Sequence, residues 1–103
     1  MRAITVTKPG EMRLLEVPEP RITEPDQVLV RVKAAGICGS DVHVAHGTNP
    51  YAVYPVVPGH EAAGVIEAVG GNVNDLEIGD GVVFEPITYC GTCYACRSGH
   101  HHV

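Results

Sequence analysis

The feature that most limits what this chain can fold into is the shortness of its apolar runs and the density of turn residues between them. AITVT (3–7), MRLLEV (12–17), QVLVRVKA (27–34), GVIEAV (64–69) and DGVVFE (80–85) are short and rich in β-formers, so each reads as a strand. In the third run Val28, Val30 and Val32 alternate with Leu29, Arg31 and Lys33, the period-two pattern of a strand with one wet face. KPGE, VPEPRITEPDQ, NPYAVYP and GGNVND supply the Pro, Gly and Asn of turns and irregular loops. Only SDVHVAHG (40–47) reads as a short helix, with Ser40 placed to cap its start and Gly47 to end it. There is no internal repeat or linker, so residues 1–103 are expected to form one all-β domain, a barrel with long loops.

Charge and length narrow the function. Twelve acidic against seven basic side chains give a formal charge of -5, and no cluster of Lys or Arg is present to meet phosphate. Nucleic acid and anionic membrane are therefore poor partners. No apolar run approaches the ~18 residues of a spanning helix, and MRAITVTKPGEMR lacks the apolar core of a signal peptide. A cytoplasmic location is the expectation. A chain of 103 residues holds one small core, so a bound metal could contribute materially to its stability.

Four cysteines in a reducing compartment point to metal ligands or free thiols rather than disulfides. Cys90, Cys93 and Cys96 in CGTCYACRSG stand at Cys-x-x-Cys-x-x-Cys spacing, which brings three thiolates within reach of one ion, whereas a structural zinc takes four donors. Cys38 in ICGSDVH and the His60–Glu61 pair in GHEAAG offer a second set, mixed in sulfur, nitrogen and oxygen, of the type that binds a catalytic zinc and leaves a position for substrate. Taken singly, a cysteine such as Cys38 is more often a small buried hydrophobe than a ligand, and a His–Glu pair such as His60–Glu61 is commonly at the surface.

These segments together resemble the N-terminal domain of the zinc-dependent medium-chain alcohol and polyol dehydrogenases, the sorbitol-like group, whose GroES-like fold is a partly open β-barrel with long loops and a short helix. The resemblance covers essentially the whole chain. GHEAAGVIEAVGGNV fits the family signature through Val73, ICGSDVH fits the first ligand segment, and CGTCYACRSG fits the structural-zinc lobe, all in the family's order. It implies that Cys38 and His60 ligate a catalytic zinc, with Glu61 as a ligand or as a close partner exchanging with water. Asp41 would accept a hydrogen bond from the other nitrogen of His60; otherwise it serves the start of a helix. Ser40 would lie beside the reacting oxygen and pass its proton to His43 near solvent, where the residues alone suggest a helix cap and a wet histidine. Cys90, Cys93 and Cys96 would hold the structural zinc. His46 has no assigned role. Phe84, Glu85, Pro86 and Gly39 lean toward the polyol branch, with L-threonine dehydrogenase and simple-alcohol enzymes as alternatives. Tyr51 and Tyr54 either form a substrate rim or pack their own loop.

The resemblance also implies NAD or NADP, carried on a Rossmann domain with a Gly-x-Gly-x-x-Gly turn that no segment of this chain provides. The family's fourth structural cysteine would fall one residue beyond Val103. The expectation is a fragment of a homo-oligomeric parent enzyme acting on a small alcohol or polyol. Such a fragment would lack activity alone, and its incomplete lobe over 86–103 would bind zinc weakly and be mobile. His100, His101 and His102 are exposed native residues, a cloning remnant, or the source of a substitute fourth donor. A rival reading is a stand-alone zinc-binding or assembly module without catalysis, which would need neither an open metal position nor an exposed apolar face beside it. Zinc-free quinone reductases of the same superfamily would lack both Cys38 with His60 and the cysteine lobe.

Overall fold

The computed structural model describes residues 1–102. All five runs form strands, β1 (Arg2–Lys8), β2 (Glu11–Glu16), β3 (Val28–Ala35), β4 (Ala62–Val69) and β5 (Gly81–Val83). Two helices accompany them, α1 (Gly39–His46) and a four-residue α2 (Tyr94–Arg97) in the cysteine lobe that the sequence reading did not anticipate. β1 and β2 make an antiparallel hairpin, while β3, β4 and β5 make a separate antiparallel sheet in that order. The two sheets do not close into a complete barrel. A single bridge ties the hairpin to the loop before β4, with Val6 and Val56 exchanging backbone hydrogen bonds of 2.8 and 3.0 Å.

The core is small. Val6 and Ile66 are its fully buried apolar side chains among the described residues. β3 and β4 approach closely at Gly64, where an added Cβ would collide with the Arg31 carbonyl and stand 2.7 Å from Val30 Cγ1. The one-wet-face expectation does not hold for β3: Val28, Leu29 and Val30 are all partly buried, from Arg31 to Ala35 both faces are exposed, and Val32 is half exposed. Alternation records which side chains share a face, not whether a layer covers that face.

Helix α1 also starts differently from expectation. Its N-cap is Cys38, two residues before Ser40, and Asp41 reaches back so that its Oδ2 accepts the Cys38 N–H at 2.9 Å. A carboxylate in the first turn of a helix satisfies a backbone donor that would otherwise be orphaned. The C-terminus ends as expected at Gly47, whose φ of 77° is the left-handed cap conformation that favours glycine. A Cβ at Gly47 would lie 2.5 Å from Pro9 Cβ, and Gly10 N–H donates to Ala45 O at 2.8 Å, so the β1–β2 turn buttresses this end of the helix. Among the described residues no helix is long and apolar enough to cross a membrane.

Candidate metal centres

The register of β3 against β4 builds the first centre. Ala34 faces Ala63 and Ala35 faces Ala62, and the ladder continues beyond the strands as Gly36 N–H donates to Glu61 O at 2.8 Å. The residues that leave β3 and those that enter β4 therefore lie side by side. Cys38, at the start of α1, meets His60 and Glu61 there. One donor atom from each of the three lies within 4.8 Å of the other two.

Electrostatics favour the thiolate at this position. Hydrogen bonds from the Ser40 backbone N–H, then its hydroxyl, then His60 hold the Cys38 thiol below its usual range, against the opposing effects of burial and the Glu61 charge. The thiolate is the form that ligates metal. Asp41 is mostly buried, and its Oδ1 stands 3.7 Å from His60 Nδ1, inside ion-pair range but beyond a hydrogen bond. One carboxylate thus caps α1 with one oxygen and faces the imidazole with the other.

Ser40 and His43 are both exposed and sit three residues apart on α1, on neighbouring positions of one helix face. His43 Nδ1 lies 2.9 Å from Thr48 Oγ1, a partner that the sequence reading missed. Thr48 follows the helix-ending glycine, and its own N–H donates to His43 O at 2.9 Å, which is what returns its side chain to the histidine. The tyrosines divide. Tyr51 is 90 % exposed, whereas Tyr54 is part-buried and its hydroxyl donates to Val44 O at 2.6 Å, packing the loop onto α1. His46 is exposed.

Beside this centre lies an open cleft of about 670 Å³ lined by Ala34, Ala35, Gly36, Ala62, Phe84 and Pro86 together with His60 and Glu61. Small side chains on the emerging strand ends give it room. Its neighbour Ile37 is 86 % exposed.

The second centre is the lobe. Cys93 caps α2 and Cys96 lies within it; Cys93 and Cys96 sulfurs are 3.5 Å apart, and Cys90 and Cys96 sulfurs 3.8 Å. The Thr92 hydroxyl first, then the Cys93 N–H at 3.3 Å, pull the Cys90 thiol down to about 6. The histidines point elsewhere. His101 stacks on Tyr89 with ring centres 4.2 Å apart, and among the described residues none of the three histidines joins the thiol cluster.

The model of the alcohol dehydrogenase GroES-like domain matches residues 24–103. This chain belongs to that family. Its GroES-like domain is 42% identical over 99 residues to D-altritol 5-dehydrogenase of Agrobacterium fabrum, covering 96% of the chain and 29% of that enzyme. Among solved structures it superposes with a TM-score of 0.88 on a cobalt- and zinc-bound thermostable alcohol dehydrogenase from Pyrobaculum aerophilum, at 39% identity over 98% of this chain and 31% of that one. A short chain alcohol dehydrogenase from Escherichia coli, solved in complex with NADH, gives a TM-score of 0.82 at 43% identity, over 98% of this chain and 29% of that one. The chain spans about 30% of the length of the curated relatives it matches.

Proposed function

We propose that this GroES-like domain is the zinc-binding catalytic part of an NAD(P)-dependent dehydrogenase that oxidises a secondary alcohol or polyol to a ketone. The observation that carries the reading is the convergence of Cys38, His60 and Glu61, from two separate segments, at the edge of an open cleft. Thiolate, imidazole and carboxylate form a donor set that fits zinc in a site with room for substrate. Zinc bound there supplies a Lewis acid that favours loss of a proton from an alcohol. The chain's own residues manage that proton: the Ser40 hydroxyl takes it, and exposed His43, held by Thr48, delivers it to solvent. Asp41, with Oδ1 3.7 Å from His60 Nδ1, orients the imidazole. A nicotinamide held elsewhere in the parent protein would supply the acceptor for a hydride from the carbon that bears the hydroxyl, so that the alcohol would lose two electrons and two hydrogens while NAD(P)+ would gain two electrons and one hydrogen.

On this reading Cys90, Cys93 and Cys96 belong to a structural zinc lobe over 86–103, a Rossmann domain of the parent protein holds the cofactor, and the parent is a cytoplasmic homo-oligomer. The polyol relative supports a polyhydroxylated substrate. Metal analysis of Cys38→Ser and His60→Ala tests the reading. Each is expected to lose one equivalent of zinc and, in the protein that carries this chain, to abolish polyol-dependent NAD(P)+ reduction. Undiminished zinc content in both variants refutes it.

A further inference from the structure

We propose that Gly36 is a positioning residue: the absence of a side chain there leaves the space in which the Glu61 carboxylate is held within the Cys38–His60 cluster. The inference rests on the reading of that cluster as a zinc site and goes further, to what keeps its third donor in place.

Gly36 is not needed for its backbone conformation, because it is absent from the glycines with positive φ. It is needed for room. A Cβ built on Gly36 would run into Glu61 Oε2 and stand 3.2 Å from Glu61 Cβ and 3.4 Å from Cδ. The Glu61 side chain therefore lies flat across Gly36 from its first carbon to its carboxylate. The 2.8 Å hydrogen bond from Gly36 N–H to Glu61 O fixes the two backbones opposite each other, so the overlap follows from the β3–β4 register. Gly39, just past Cys38, has nothing within 4 Å of an added Cβ. The crowding belongs to the Glu61 side of the centre. Glu61 is exposed, and among the described residues its carboxylate carries no side-chain hydrogen bond or ion pair. Packing over Gly36 is then a restraint on this side chain that no polar contact replaces.

Gly64 makes an instructive contrast. There the obstacle to a Cβ is the Arg31 backbone, which cannot move without breaking the sheet. At Gly36 the nearest atom is the far end of a flexible side chain. A methyl group at 36 is accommodated by expelling the carboxylate, whereas one at 64 has to push β3 and β4 apart.

The experiment uses the chain carrying Cys90→Ser, Cys93→Ser and Cys96→Ser, so that Cys38 is the one thiolate left, with cobalt(II) as the spectroscopic probe and zinc for affinity. Gly36→Ala is expected to unfold at the unaltered temperature without metal, to bind zinc roughly 10- to 100-fold more weakly, and to give the cobalt spectrum of Glu61→Ala. Adding Gly36→Ala to Glu61→Ala is expected to change neither spectrum nor affinity. Gly64→Ala, by comparison, lowers the unfolding temperature. An unaltered spectrum and affinity in Gly36→Ala overturns the proposal, as does a further loss when Gly36→Ala is added to Glu61→Ala. Should Gly36→Ala fail to fold, the double variant decides: recovered folding supports the proposal and continued unfolding overturns it. A cobalt–thiolate band that survives Cys38→Ser removes the zinc-site reading itself, and the proposal with it, a result distinct from any comparison of the Gly36 and Glu61 variants.

Discussion

Thr5 places a hydroxyl where the core has no use for one. Its side chain is 5% exposed, and among the described residues Oγ1 has no hydrogen-bond partner. A buried donor without a partner has lost its hydration and gained nothing in return, whereas valine has the same shape and nothing to satisfy. Thr5→Val is expected to raise stability by about 1 kcal/mol. Urea denaturation checks this as a higher midpoint with an unaltered slope; a midpoint at or below that of the unsubstituted chain counts against it. At this scale the two candidate donor sets were legible in the sequence because Cys38 with His60–Glu61, and the three lobe cysteines, are informative in combination, and the structure brings the donor atoms of each set together. Gly36 and Thr48 were not legible. A glycine two residues before a cysteine, or a threonine after a glycine, signals nothing until the strand register and the helix cap place Glu61 over one and His43 beside the other.

At the scale of elements, the β1–β2 hairpin is held by a carboxylate that the sequence did not single out. Glu11 accepts a 2.5 Å hydrogen bond from the Thr7 hydroxyl, lies 3.0 Å from Arg13 Nε and 3.6 Å from Lys8 Nζ. The Thr7 hydrogen bond chiefly, helped by the two cations, lowers the Glu11 carboxyl below its ordinary value of 4.5. A carboxylate whose folded pKa lies below the unfolded one stabilises the fold fully above the unfolded value, and that contribution is lost as pH falls through the folded one. The hairpin is therefore expected to loosen first in acid, below about pH 4.5. Glu11→Gln should flatten this part of the pH–stability curve, with thermal unfolding followed from pH 6 to 3; an acid limb of unaltered depth refutes the assignment. Strand existence was legible because five short β-rich runs punctuated by Pro and Gly admit few other readings, whereas their pairing into two sheets was not. The cap of α1 was misread at Ser40, since Cys38 takes that place only when Asp41 folds back to its N–H, a pairing that cap preferences of single residues do not encode. The exposed second half of β3 was misread for a different reason: a periodic pattern states which residues share a face, not whether anything covers it.

The whole molecule exposes more surface than its mass requires. A folded monomer of this size exposes about 5,600 Å² by the usual scaling, and this chain exposes 7862 Å². Large apolar side chains are part of that surface: Ile37 is 86% exposed, Val83 80% and Ile78 67%, and Phe84 and Val32 are partly bare. Ile37, Val32 and Phe84 belong to the same end of the β3–β4–β5 sheet as the cleft and its His60–Glu61 wall. Bare apolar side chains beside the cleft, on a chain whose fully buried apolar side chains among the described residues are Val6 and Ile66, mark a face built for contact rather than for water. The proposed reading supplies the contact, because a hydride can pass to a nicotinamide only if the part of the protein that holds it closes over this cleft. Residues 1–103 alone are accordingly expected to bind a naphthalene-sulfonate dye at neutral pH while keeping their strand signal in far-ultraviolet circular dichroism. Ile37→Asp and Val83→Lys should each reduce the dye fluorescence with stability within about 0.5 kcal/mol of the unsubstituted chain, since neither side chain is packed. Absence of dye binding, or a signal indifferent to both substitutions, would place the contact face elsewhere and detach the cleft from the transfer chemistry assigned to it.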